Sequence, residues 1–203
     1  MPNEWLRKRE KDLFHRLAKQ QGYRSRASYK LLQVVRRSRF LKRGDFVLDL
    51  GAAPGGWLQA ARQVVGEKGY VLGVDKESIT PFDDENVVTI IADVTQADIL
   101  ERIQAKGVGR FDAVISDLSP NISGVWELDH ARQIDLARHT LKIAREVLKP
   151  SGNVLVKVFQ GSELKEFQLE LKASFRIFRI VKPPASRSES AELYLLGMGF
   201  VGQ

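Results

Sequence analysis

Asp49-Leu50-Gly51-Ala52-Ala53-Pro54-Gly55-Gly56-Trp57 closes a short, largely apolar run at residues 46–50 and opens a stretch of helical periodicity at residues 56–65. Small residues at such a junction let the chain turn sharply and bring backbone N–H groups close to a ligand, at the carboxyl edge where open α/β sheets bind nucleotides. The spacing is not G-x-G-x-x-G, because Ala53 stands where the second glycine belongs and Pro54 stiffens the loop, so a dinucleotide pyrophosphate fits poorly. There is no G-x-x-x-x-G-K-[ST] either, which disfavours a P-loop nucleotide hydrolase. Taken alone, the glycine cluster also suits an ordinary tight βα turn.

Outward from this loop, short β-branched runs alternate with helical ones, as in βαβ units on a largely parallel sheet. Strands are predicted at residues 46–50, 70–74, 87–91, 111–116, 153–159, 175–181 and 192–198, and helices at 56–65, 97–106, 129–148 and 162–173. Gly66, Gly107 and Lys149-Pro150-Ser151-Gly152 are read as stops. Residues 182–191 are too few and too polar for a crossover helix, so the last two strands should be antiparallel. Upstream, residues 5–20 and 25–39 read as two amphipathic helices, with Gly22 ending the first and Lys30 bordering the apolar side of the second. With no repeat or separable linker, residues 1–203 form one α/β Rossmann-like domain, helices on both faces, with a basic helical N-terminal extension over about residues 1–43.

Three acids fall at successive predicted strand ends. Asp75 lies 24 residues past Gly51, near the offset of roughly 20 at which a carboxylate accepts both hydroxyls of a cofactor ribose. Asp93 and Asp117 end the third and fourth strands. A single Asp at a strand end is more often a helix cap or turn former, but three in succession argue for a ligand.

Composition narrows the chemistry. A chain of 203 residues with 43% hydrophobic and 28% charged residues has a globular balance. No stretch approaches the roughly 18 uninterrupted apolar residues of a membrane span, and the first residues lack the apolar core of a secretory signal, so an intracellular, cytoplasmic chain without a membrane partner is expected. The absence of cysteine removes disulfides, thiolate metal sites and thiol nucleophiles. His15, His130 and His139 are too scattered to suggest a metal cluster, and no metal is expected.

Charge is unevenly placed. Residues 1–43 carry fourteen Lys and Arg against three acids, +11, while the remaining 160 residues carry −4. A local excess of this size suggests a surface for polyanions, RNA first among them. The plain alternative is a solvated face that aids solubility. Trp5, Tyr23 and Tyr29 among the cations favour RNA, because flat rings suit unstacked bases.

In Leu155-Val156-Lys157-Val158-Phe159 a lysine interrupts an apolar run. On an edge strand it would face water, but the run suggests a central strand buried on both faces, where an unpaired ammonium is costly. Lys157 therefore needs a function.

The Asp49–Trp57 loop, Asp117-Leu118-Ser119-Pro120-Asn121-Ile122-Ser123-Gly124, and Val156-Lys157-Val158-Phe159-Gln160-Gly161 together resemble the FtsJ-type ribosomal RNA 2′-O-methyltransferases, over about residues 25–200. The resemblance implies a seven-stranded S-adenosyl-L-methionine-dependent methyltransferase fold. It implies that Gly51, Gly55 and Trp57 frame the methionine end of the cofactor, that Asp75 holds its ribose and Asp93 its adenine amine, and that Asp117 lies beside the transferable methyl. It also implies a catalytic tetrad of Lys30, Asp117, Lys157 and Glu192 with Lys157 as base. Ser188-Glu189-Ser190-Ala191-Glu192 offers two glutamates, and Glu192 is preferred because it precedes Leu193-Tyr194-Leu195, where the family's glutamate meets its final strand.

Methyl transfer from a sulfonium is an in-line displacement for which the protein supplies alignment and a place for a proton. The loop at Asp117-Leu118-Ser119-Pro120 is not the Asn/Asp-Pro-Pro-aromatic signature of many base-nitrogen methyltransferases, and C5 methylation through a cysteine adduct is excluded. The resemblance implies a uridine of large-subunit ribosomal RNA as substrate. The basic N-terminal region is expected to meet that RNA, within a ribosomal particle because no separate RNA-binding domain is evident, and a monomer is expected. Transfer RNA is the close alternative. A non-catalytic ribosome-assembly factor is disfavoured by the complete tetrad, and a small-molecule methyltransferase would not need +11 on its first 43 residues.

Overall fold

The computed structural model describes residues 13–106, 108–187 and 189–202. Seven strands form one sheet in the order β3-β2-β1-β4-β5-β7-β6. They are β1 (Phe46–Leu50), β2 (Tyr70–Asp75), β3 (Val87–Ile91), β4 (Phe111–Ser116), β5 (Leu148–Phe159), β6 (Phe175–Val181) and β7 (Glu192–Phe200). The first five pair in parallel, and β7 runs antiparallel to both neighbours, as the short 182–191 connection requires. The reversal of strand order between β1 and β4 opens a crevice at the carboxyl edge.

Among the described residues, five helices cover the two faces. One face packs α2 (Ala27–Ser38) and α3 (Gly56–Val65) against the sheet through Leu31, Val34, Trp57 and Leu58. The other packs α4 (Ile99–Gln104), α5 (Trp126–Val147) and α6 (Leu164–Ser174) through Ile103, Ile134, Leu141, Phe167 and Leu171. The even-numbered residues Leu48 and Leu50 of β1 meet the second layer while Val47 meets the first, the period-two alternation of a strand buried on both sides. Helix α1 is described over residues 13–20 and ends before Gly22, whose φ of +72° favours a residue without a side chain. The rest of the predicted 5–20 helix lies outside the described residues.

Three boundaries differ from expectation. Strand β5 starts at Leu148 rather than at residue 153, so the Lys149-Pro150-Ser151-Gly152 stop is a bulge inside the strand. Leu148 pairs with Phe111 and Asn153 with Ala113, and Lys149 Nζ holds the Asp112 carboxylate at 2.8 and 2.9 Å, which ties the bulge to β4. Helix α5 begins three residues earlier than predicted, at Trp126. Helix α4 is only Ile99–Gln104, inside the wider 97–106 stretch. Strand β6 forms the sheet edge, and its exposed Arg176 and Arg179 blunt that edge against pairing with another chain.

Candidate active site

At the carboxyl edge of β1, β2 and β4 lies a cleft of about 450 Å³ lined by Gly51, Ala53, Asp75, Asp93, Leu118 and Asp117, among others. Gly51 has a φ of +81°, and a Cβ there would meet Leu118 Cδ2 at 2.8 Å and its Cα at 3.1 Å. Only glycine lets the β1–α3 loop pass the β4–α5 loop this closely. Asp75 Oδ2 accepts from Ala53 N–H and Oδ1 from Glu77 N–H, both at 2.9 Å, so its carboxylate is oriented before any ligand arrives. Asp93 Oδ1 accepts from Thr95 N–H and Oγ1–H, and these bonds hold its carboxyl below the usual range.

Beneath this cleft Asp49 is fully buried and neither carboxyl oxygen has a hydrogen-bond partner. Burial first, then repulsion from Asp117 and Asp75, push its carboxyl well above the usual carboxylate range. Five carboxyl groups line the cleft, Asp75, Glu77, Asp93, Asp117 and Asp135, against two cations, Lys76 and Arg132, and Asp49 lies beneath them; this excess of acids suits a ligand with hydroxyls, amines and net positive charge better than a polyphosphate. A sulfonium cofactor with an adenosine end fits that donor set.

Gly55 and Trp57 stand apart from the cleft lining. Gly55 packs against Arg24 and Phe82 at the start of α3. The Trp57 ring is buried, its N–H donates to Ala27 O at 2.8 Å, and its centroid lies 5.7 Å from that of Tyr194, so it joins α3 to α2 and to β7.

Lys30, Asp117, Lys157 and Glu192 converge from α2, the residue just after β4, the carboxyl end of β5 and the start of β7. Lys30 Nζ meets Glu192 Oε1 at 2.6 Å. Lys157 Nζ donates to the Asp117 backbone carbonyl at 2.6 Å and lies 3.3 Å from Asp117 Oδ1. Both lysines are buried, Lys30 at 8% and Lys157 at 6% exposure, so each is paired as a buried charge must be. Gln133 of α5 clamps the arrangement by donating to Lys157 O at 2.9 Å and Leu118 O at 3.2 Å.

A fifth side chain joins the two pairs. Tyr194 is fully buried, pairs with Lys157 across the β5–β7 ladder, and its hydroxyl donates to Asp117 Oδ1 at 2.7 Å. The same oxygen lies 3.2 Å from both Lys30 Nζ and Glu192 Oε1. Burial and the two carboxylates push its phenol well above the usual value, so it stays a neutral donor. Sequence reasoning passed over Tyr194 and gave Asp49 no role, because the signals that mark them are a strand register and a missing partner. Tyr194→Phe is expected to slow the chemical step by roughly tenfold or more and, because a buried hydrogen bond to a charged group is worth about 1.5–3 kcal/mol, to lower the thermal midpoint by about 3–10 °C while the fold is kept. Single-turnover rates beside melting curves check this; a normal rate would make the hydroxyl a bystander.

A sheet of order 3-2-1-4-5-7-6 with a reversed β7, and a glycine turn facing acids at its carboxyl edge, define a Rossmann-like methyltransferase. The model of the FtsJ-like methyltransferase family matches residues 23–200, and the chain belongs to that family. It is 50% identical over 188 residues to ribosomal RNA large subunit methyltransferase E of Methanothrix thermoacetophila, covering 93% of this chain and 72% of that one. To the protein of the same name from Methanocaldococcus jannaschii it is 46% identical over 202 residues, 98% of this chain and 82% of that one. Among solved structures, a ribosomal RNA methyltransferase described from Plasmodium falciparum superposes with a TM-score of 0.79 at 25% identity, covering 89% of this chain and all of that one.

Proposed function

We propose that this chain transfers the methyl group of S-adenosyl-L-methionine to the ribose 2′-hydroxyl of a uridine in large-subunit ribosomal RNA, working as a cytoplasmic monomer on a ribosomal particle. The names borne by its relatives support ribosomal RNA as the substrate. The observation that carries the reaction type is the setting of Lys157 Nζ between two acceptors of the same residue, Asp117 O and Oδ1. In its amine form the group gives both N–H bonds to Asp117 and keeps one lone pair, aimed away from them, for an incoming hydroxyl proton.

The cofactor supplies an electrophilic methyl on sulfur. Asp75 would hold its ribose hydroxyls, Asp93 its adenine amine, and the loop at Gly51 its methionine end, all three residues lining the cleft. Asp117 serves both ends of the reaction, lining the donor cleft and orienting the base.

Mapping 2′-O-methyl marks in RNA from a deletion strain, then restoring them with purified protein, tests the reading. One 2′-O-methyluridine in large-subunit RNA is expected; a mark on a base or on transfer RNA would overturn it. Arg7, Lys8, Arg9 and Lys11 lie outside the described residues, and their charge supports an RNA-binding role. Reversing each one that contacts phosphate should lower the slope of log affinity against log salt by about 0.9, and an unchanged slope would remove them from the interface.

A further inference from the structure

The tetrad is charged, but the surface next to it is not. Ile122, Val125, Trp126 and Leu128, in the β4–α5 loop and the first turn of α5, account for four of the ten exposed large apolar side chains of the described residues. Trp126 is 46% exposed. Its ring stacks on Phe159 at 5.9 Å between centroids and 24° between planes, and on His130 at 6.5 Å and 22°.

This is a built surface. His130 backs the stack, with Nε2 accepting from Glu163 N–H at 3.1 Å, and it lies so close to Gly161 that a Cβ there would sit 2.5 Å from the imidazole. Asp129 fixes the loop by accepting from Ser123 N–H at 2.8 Å, Ser123 Oγ–H at 2.7 Å and Gly124 N–H at 3.2 Å. The rings form one wall of a cleft of about 270 Å³ whose other side is Ser190 and Ala191.

The cleft adjoins the tetrad directly. Phe159 pairs with Glu192 across the β5–β7 ladder. It is also two residues beyond Lys157 on the same face of β5, roughly 7 Å along the strand. Ser190 Oγ accepts from Glu192 N–H at 3.2 Å, which leaves its own proton for an acceptor in the cleft.

We infer that this cleft binds the nucleobase of the ribose being methylated, unstacked from its neighbours and laid against Trp126, with Ser190 facing its polar edge. The inference rests on the ribose 2′-O reading above. A 2′-oxygen within hydrogen-bond reach of Lys157 Nζ places the attached base one ring carbon away, so the base falls on the surfaces that border the tetrad. On the donor side that border is a row of acids filled by the cofactor. On the other side it is the ring stack, and flat apolar rings are what an unpaired base seeks. Such a site selects single-stranded or flipped nucleotides, since a base within a duplex cannot reach it.

The test uses the full chain, tritiated S-adenosyl-L-methionine and large ribosomal subunits from a strain lacking the enzyme. Trp126→Ala should lower the single-turnover rate by roughly ten- to a hundredfold, with cofactor affinity unchanged. Trp126→Phe should restore most of the rate and Trp126→Leu should not. Leu169→Ala, an exposed apolar change on α6, serves as the control. Should Trp126→Ala melt below the assay temperature, Trp126→Leu carries the comparison, since it keeps apolar bulk without a ring. Full activity in the variant used, or rescue by leucine equal to that by phenylalanine, would overturn stacking; equal rescue would mark the cleft as an apolar contact for a protein of the subunit. Nucleoside analysis of the wild-type product separates the two levels of failure. A 2′-O-methyl mark made equally well without the ring defeats this inference alone, whereas a mark elsewhere than on ribose defeats the function first and this site with it.

Discussion

Lys157→Ala is expected to reduce the single-turnover rate of methyl transfer by about 10²–10⁴-fold, the usual worth of a positioned general base, while cofactor affinity stays close to normal. The separation follows from the geometry. Lys157 comes from the carboxyl end of β5 and meets the donor cleft at Asp117, while Asp75 ends β2 and Asp93 follows β3. Removing the amine leaves Asp117 with the Tyr194 hydroxyl as partner, so the carboxylate is not stranded. Lys157→Arg should fail as badly, because a guanidinium keeps its charge at every accessible pH and has no lone pair to offer a hydroxyl. Near-normal turnover in either variant would remove Lys157 from the chemistry and leave the charged cluster a structural one.

Asp75→Ala should act on the opposite quantity. Two hydrogen bonds from cofactor hydroxyls to a carboxylate are worth about 1.5–3 kcal/mol each, so their loss should raise the dissociation constant by a hundredfold or more. The same change also frees Ala53 N–H and Glu77 N–H, loosening the loop that carries Pro54. At saturating cofactor most of the rate should return, since no tetrad distance depends on Asp75. Calorimetric titration with S-adenosyl-L-homocysteine reads the affinity directly, and a variant that binds as tightly as the wild type would dismiss the assigned contact.

Much of this architecture was legible because local chemistry and tertiary context agree. Each predicted strand exists, because short apolar or β-branched runs alternate with helical ones along the chain, and the hairpin-like join before β7 fixes its direction. Lys157 stood out because a lysine in an apolar run is costly wherever both faces are covered, as they are here. The misread elements are those where long-range pairing wins over local signals. Lys149-Pro150-Ser151-Gly152 looks like a stop, and only the Lys149–Asp112 ion pair across β4 makes it part of β5. Tyr194 reads as an ordinary apolar-run aromatic until register sets it opposite Lys157. The preference for Glu192 over Glu189 needed the β7 boundary, and the 2.6 Å contact with Lys30 places Glu192 in the cluster.

The Lys30–Glu192 pair joins residues 162 positions apart in the chain. During synthesis the strands that make the donor cleft leave the ribosome well before β7 does. At that intermediate length Lys30 lacks its acid and Lys157 its tyrosine neighbour. The buried charged cluster is therefore among the last parts of this fold to be completed, and a chain that stops before β7 should be inactive in methyl transfer.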